Sequence, residues 1–129
     1  MPTVAGNAEI KFKRRCDRFK VDLQREIDVL TARDAVSPIR LALSVDNLAN
    51  LIAELSVIER DNAIMCKEMP RCRTMMASPG YYAQNSGFSV NTRKLKDHLV
   101  VLKENLFSKH SDRHWTFRQI ESLQRYLIL

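Results

Sequence analysis

The stretch that decides the fold is residues 38–68, PIRLALSVDNLANLIAELSVIERDNAIMCKE, which have the pattern of one long helix. Ser37 is a natural N-cap, and Pro38 stands at the first helical position, where its missing N–H group costs nothing. Pro70 is the next helix breaker. About 30 residues at 1.5 Å each predict a rod of roughly 45 Å.

The apolar residues of this helix form two overlapping stripes. One stripe contains Leu41, Val45, Leu48, Ile52 and Leu55. The other contains Leu48, Leu51, Leu55, Ile58 and Met65. A surface this wide needs contacts on two sides, from other helices or from a second copy of the chain. We predict a homodimer whose interface is formed by Leu41, Val45, Leu48, Leu51, Ile52, Leu55 and Ile58.

A first helix is predicted over residues 8–34, with Asn7 as its N-cap. Apolar residues recur along it at spacings of four and three, which places them on one helical face. This seam consists of Phe12, Cys16, Phe19, Leu23, Ile27 and Leu30. The first two helices are therefore expected to pack as a long antiparallel hairpin.

Two shorter helices are predicted after a long loop at residues 70–91, which contains the turn signals Pro79-Gly80 and Asn85-Ser86-Gly87. The third helix should span residues 92–107, capped by Asn91. Its buried seam should consist of Leu95, Leu99, Leu102 and Leu106.

The fourth helix should span residues 116–127. Thr116 and Gln119 have the spacing of a capping box, and Trp115 and Ile120 that of a hydrophobic staple. With 45% apolar residues and only 3 Gly and 4 Pro, the whole chain is predicted to be one all-α domain, residues 1–129.

The charge of the chain is positive but uneven. The formal net charge is +6, and the pI is about 9.5. Residues 36–69 carry three Lys/Arg against five Asp/Glu, whereas residues 70–129 carry ten against four. This excess favours a polyanionic partner.

Three cysteines without paired spacing do not indicate a disulfide scaffold. The N-terminal residues lack the apolar core of a signal peptide, and no uninterrupted apolar run approaches about 18 residues. We expect an intracellular, cytoplasmic protein without a membrane span, located in the host cytoplasm if it is viral.

The densest cluster of charge lies in the first helix. Helical spacing places five cations on one side of its apolar seam, namely Lys11, Arg14, Arg15, Arg18 and Arg25. Such a row can lie along a phosphate backbone, and the release of counterions then drives binding. The alternatives are a solvated face that keeps the protein soluble, an acidic protein surface or membrane headgroups.

A second basic set lies in the loop and at the start of the third helix: Arg71, Arg73, Arg93, Lys94 and Lys96. The neighbouring Tyr81 and Tyr82 could stack on single-stranded bases. Tyrosines in such a loop are more often packing residues that hold it in place.

Catalytic and metal-binding patterns are sparse. Cys66, Cys72, His110 and His114 are ligand types that can hold zinc, but their spacing differs from the familiar zinc-finger patterns. We find no Gly-rich phosphate loop, nucleophile elbow or HExxH motif. We therefore predict a protein that is not an enzyme and has no cofactor.

Residues 45–70, VDNLANLIAELSVIERDNAIMCKEMP, resemble the second helix of the small RNA-silencing suppressors of nodaviruses. The resemblance rests on an Asp-Asn-Leu triplet at Asp46, Asn47 and Leu48 and on a Glu-x-Pro closure at Glu68 and Pro70. It implies an antiparallel helical dimer that lies along one face of double-stranded RNA and recognises shape and phosphates.

The chain departs from that family at two positions. Glu54 and Asp61 stand where the family has a Lys and an Arg that contact RNA. No RNA-contact residue is carried over, so this chain would have to bind RNA through its first helix or its C-terminal half.

These observations lead to two main functional hypotheses, and a zinc-dependent helical module is a third. The first is a non-enzymatic nucleic-acid-binding protein, preferring double-stranded RNA and acting as a viral suppressor of RNA silencing. The alternative is a helical protein–protein adaptor or inhibitor that acts through the apolar surface of the second helix. Neither of these two hypotheses requires a cofactor.

Overall fold

Four helices make up the part of the chain that the structure, a computed structural model, describes. Its backbone is described for residues 4–32, 36–68 and 92–125, and its side chains for residues 10–32, 36–64 and 92–125. The helices are α1 (Val4–Thr31), α2 (Pro38–Glu68), α3 (Thr92–Lys109) and α4 (Arg113–Gln124). The predicted all-α class is confirmed. The predicted loop at residues 70–91 lies outside the described ranges.

The helix α2 begins where its sequence predicts. The backbone N–H of Arg40 donates to Ser37 Oγ at 3.2 Å, and that of Leu41 donates to the Ser37 carbonyl at 2.8 Å. Ser37 therefore caps the helix and satisfies one of its free N–H groups. The last helical residue is Glu68, also as predicted.

The helix α1 begins at Val4, so Asn7 lies inside the helix and the prediction that it is the N-cap was wrong. A capping residue is only one way to satisfy the first N–H groups, because water can do so as well. The helix ends at Thr31 rather than near residue 34. There, Arg113 Nη2 donates to the carbonyls of Thr31 (3.4 Å) and Ala32 (3.0 Å).

The start of α4 lies one turn earlier than predicted. Asp112 is the N-cap, and its Oδ1 accepts the backbone N–H of Trp115 at 3.0 Å. Thr116 is not a capping residue but part of the buried face, only 2% exposed, with its hydroxyl bonded to the Asp112 carbonyl at 3.1 Å. Thr116, Ile120 and Leu123 form one buried stripe, so the helix must begin before Thr116, and the predicted box and staple do not form.

The helices α1 and α2 form the predicted long hairpin, and contacts along it show that the two run antiparallel. Arg15, in the first half of α1, meets Glu54 and Asp61 in the second half of α2, whereas Glu26, near the end of α1, meets Arg40 at the start of α2. The helix α2 also packs against α3, and α4 packs against both α3 and α1. Other helices of the same chain therefore cover the wide apolar surface of α2 on two sides.

The core is a single cluster to which all four helices contribute, and the predicted seams of α1 and α3 lie in it. It also contains most of the residues predicted to form a dimer interface. Leu41, Leu48, Leu51, Leu55 and Ile58 are at most 5% exposed, and Val45 and Ile52 pack against them. A dimer that keeps this core intact must use other residues.

Residues 38–64 of α2 are long and apolar enough to cross a membrane, with a mean hydropathy of 1.5 and a third of the window buried. A core helix of a soluble protein passes the same test, so this is weak evidence. The expectation that the chain has no membrane span stays a prediction.

Candidate nucleic-acid interface

The five cations predicted on one side of α1 all line one open groove between α1 and α2. This groove, which we call the cationic groove, has a volume of about 760 Å³. Its cationic wall consists of Lys11, Arg14, Arg15, Arg18 and Arg25. Because α1 is unbroken from Val4 to Thr31, the three- and four-residue spacing becomes a straight row beside the buried seam.

The opposite wall of the cationic groove belongs to α2 and carries Asn47, Asn50, Leu51 and Glu54. Three carboxylates, from Asp22, Glu26 and Glu54, also line the groove. Five cations against three acids leave the lining with a formal charge of +2. The carboxylates would repel a phosphate from the floor of the groove, between the two helices. The electrostatics therefore favour an anion at the exposed outer rim of the groove, along α1.

Arg15 is the most restrained of the five cations, since it bridges the two helices. Its guanidinium lies 3.5 Å from Glu54 Oε1 and 3.8 Å from Asp61 Oδ2. These are the two acidic positions at which the chain departs from the nodavirus pattern. The side chains are 31–40% exposed, so each ion pair contributes at most about 1 kcal/mol. Arg15 chiefly holds α1 on α2.

Arg18 and Arg25 are much less restrained. Each lies 4.0 Å from Asp22, at the limit of an ion pair, and their side chains are 87% and 70% exposed. Lys11 and Arg14 are also exposed, and neither forms an ion pair within 4 Å with any residue that the structure describes. Four cations therefore remain available to a ligand.

The floor of the cationic groove contains a buried polar cluster that the sequence reasoning missed. Glu26 is 3% exposed, and its Oε1 accepts from Asn47 Nδ2 at 2.5 Å and from Arg40 Nη2 at 3.4 Å. The sequence did indicate that Glu26 would be buried, because position 26 lies one helical turn from both Leu23 and Leu30 of the buried seam. A carboxylate so placed needs partners from the facing helix, and α2 supplies them for Oε1, whereas the buried Oε2 has none among the described residues.

The second predicted basic set is not brought into the cationic groove. Lys96 Nζ lies 3.5 Å from Glu59 Oε2, which ties the start of α3 to the C-terminal half of α2. Arg93 and Lys94 are exposed on the same first turn of α3, and the groove lining includes neither. Arg71, Arg73, Tyr81 and Tyr82 lie outside the described residues.

The metal ligands considered from the sequence are only partly within the described ranges. His110 follows the end of α3 and His114 lies in α4, so the two do not share one continuous helix. The Cys66 side chain and all of Cys72 are outside the described part. Within that part, no group of three or more His, Cys, Asp or Glu residues could hold a metal ion.

Comparison with known proteins adds no relative. No protein family, curated protein or solved structure matches the chain. The likeness to the nodavirus suppressors therefore rests on residues 45–70 alone and remains a hypothesis.

Proposed function

We propose that the protein binds nucleic acid non-enzymatically through the exposed cations of the cationic groove, with double-stranded RNA as its preferred target. The observation that carries this proposal is the row formed by Lys11, Arg14, Arg18 and Arg25. These residues span fourteen helical steps, or about 21 Å, along one rim. Because the row is straight, it can follow a phosphate backbone.

The mixed charge of the groove suggests how a duplex would lie. Phosphates would contact the rim of α1, since the carboxylates of Glu26 and Glu54 repel them from the interior. The carboxamide of Asn50, exposed on the opposite wall, would face the sugars. The wide, shallow minor groove of A-form RNA presents 2′-hydroxyls to such a surface, and recognition by shape follows.

The resemblance to nodavirus suppressors extends the proposal to a biological role. A protein that covers duplex RNA without reading its sequence would shield it from a duplex-specific ribonuclease and so suppress silencing in the cytoplasm. The predicted homodimer belongs to the same proposal, because two copies would present two rows of cations to one duplex.

A binding titration tests the proposal. The purified chain is titrated against fluorescent duplex RNA, duplex DNA and single-stranded RNA at two salt concentrations. We expect Arg14→Glu with Arg18→Glu to weaken duplex RNA binding about ten- to hundred-fold and to lower the salt slope by about two.

The matched control is Lys13→Glu with Arg118→Glu, which changes the charge equally at two exposed residues that do not line the groove. We expect a much smaller loss of affinity. Equal losses in the two double variants, with helicity preserved, would refute a specific role for the groove and indicate nonspecific attraction to net charge.

A further inference from the structure

Arg15 lies within the row of cations that lines the cationic groove, but carboxylates of the facing helix hold its guanidinium. One helical turn separates it from Lys11 on one side and from Arg18 on the other. Its Nη1 lies 3.5 Å from Glu54 Oε1, and its Nε lies 3.8 Å from Asp61 Oδ2. We call Arg15, Glu54 and Asp61 together the Arg15 bridge.

The two carboxylates of the Arg15 bridge differ in where they lie. Glu54 lines the cationic groove, whereas Asp61 is not among the residues that line it. Glu54 contacts an Nη atom at the outer end of the guanidinium, and Asp61 contacts Nε at the end next to the aliphatic chain. A ligand that enters the groove therefore meets Glu54 before it meets Asp61.

The other contacts of the two carboxylates differ as well. Asp61 Oδ1 lies 3.8 Å from Arg60 Nε of the same helix, so this carboxylate is held between two arginines. Glu54 is partly exposed, and it forms no ion pair within 4 Å with a second cation among the residues that the structure describes. Glu54 is therefore the partner of Arg15 that an anion can displace more readily.

The guanidinium of Arg15 has enough donors to exchange one partner and keep the other. It carries five N–H groups, one on Nε and four on the two Nη atoms. A phosphate can accept hydrogen bonds from both Nη atoms in a bidentate geometry, and Nε can keep its contact with Asp61. Asp61 then holds the guanidinium in place beside the groove.

We propose that Glu54 is an internal competitor of the phosphates that bind the cationic groove. It occupies the Nη end of Arg15 in the free protein, and a phosphate displaces it there while Asp61 keeps Arg15 in position. This inference rests on the proposed function and deepens it, because it concerns regulation of the same groove. Glu54 lowers the affinity of the groove, and Arg15 changes one partner on binding.

The size of this effect is limited by the strength of the ion pair between Arg15 and Glu54. An exposed pair of this kind changes an equilibrium constant by no more than about fivefold. A phosphate must break the pair before it gains Arg15, so the pair reduces affinity by that factor at most. In the free protein the same pair holds α1 against α2. One contact therefore stabilises the hairpin and weakens binding.

A double-mutant cycle on duplex RNA binding tests the inference with Glu54→Gln, Arg15→Gln and the chain that carries both substitutions. We expect Glu54→Gln to raise the affinity about three- to fivefold, because the competing carboxylate is removed. In the Arg15→Gln background the same substitution should change the affinity by less than about twofold. Glu54→Gln should also lower the equilibrium constant of folding by about the factor by which it raises affinity, since both changes report the same ion pair.

Asp61→Asn is the matched control, since it removes the same charge from the other carboxylate of the Arg15 bridge. We expect no gain of affinity, because Asp61 lies outside the groove lining and positions Arg15. Circular dichroism checks that helicity is unchanged in each variant. An equal gain from Asp61→Asn would overturn the inference, and so would an unchanged affinity in Glu54→Gln. A gain that persists in the Arg15→Gln background would show general charge repulsion and would also overturn it.

The proposed function and this inference fail in different ways. Duplex RNA binding without an Arg15-dependent gain overturns the inference alone. A wild-type chain that binds no duplex RNA refutes the proposed function. The four chains of the cycle are therefore also titrated with long-chain inorganic polyphosphate, which presents phosphates without sugars or bases. The Arg15-dependent gain should appear with this probe as well, and its absence there would overturn the inference.

Discussion

Leu48 and Leu43 lie little more than one turn apart on α2, yet they belong to two different surfaces. Leu48 is fully buried between α2 and its neighbours, whereas Leu43 is 49% exposed on the side of α2 that points away from the core. The inner side of α2 is part of the core, and the outer side is nearly as apolar but uncovered in the described chain. Hydrophobicity alone therefore does not separate the surface that stabilises this helix from the one that is available to a partner.

The largest expected effect comes from truncating one leucine on each side of α2 to alanine. Leu55 is fully buried on the inner side. We expect Leu55→Ala to lower the free energy of unfolding by about 2–5 kcal/mol, because it removes apolar contacts and leaves a cavity. Leu43→Ala should cost less than about 1 kcal/mol. Urea unfolding of both variants at a low, monomeric concentration measures the difference, and equal costs would contradict the assigned burial.

A smaller change in the free energy of unfolding is expected from a comparison between the floor of the cationic groove and its rim. Glu26 is buried and accepts hydrogen bonds from Asn47 and Arg40, whereas Asp22 is half exposed. We expect Glu26→Leu to lower the free energy of unfolding by about 1–3 kcal/mol, because it leaves two half-buried donors, Asn47 and Arg40, without their acceptor. Asp22→Leu is the control, and its cost should be within about 0.5 kcal/mol. Thermal unfolding of both variants gives the comparison.

The smallest effects concern two arginines of the same wall. We expect Arg15→Gln to lower the free energy of unfolding by up to about 1 kcal/mol, because it breaks two contacts between α1 and α2. Arg18→Gln should leave stability unchanged, since its side chain is 87% exposed. Duplex RNA affinity should show the reverse order, with Arg18→Gln the more harmful. Finding the same order in both measurements would contradict the division of roles proposed for this wall.

The correct predictions from the sequence were those set by local periodicity. The seams of α1 and α3 repeat at three and four residues, and every predicted member is buried. The five cations of α1 share one groove for the same reason, since a helix converts spacing into direction. The start of α2 was correct because Ser37 and Pro38 act together at one position.

The sequence was misleading where two residues could cap the same helix, and it was silent where a contact joins residues that are distant in sequence. Asp112 and Thr116 are both suitable caps, and burial of Thr116 with Ile120 decides for the earlier one. The cluster around Glu26 was missed because its donors, Asn47 and Arg40, are distant in sequence. The pairing of Arg15 with Glu54 likewise depends on how α1 lies against α2.

By itself, the sequence determined the helical class, the seams and the row of cations along α1, because each depends only on spacing within one helix. Tertiary structure alone decided which apolar side of α2 is core, which cations remain unpaired, and where carboxylates interrupt the groove. Those outcomes depend on the facing residues of other helices. Burial, ion pairing and a shared surface depend on contacts between segments, and the periodicity of one segment does not predict those contacts.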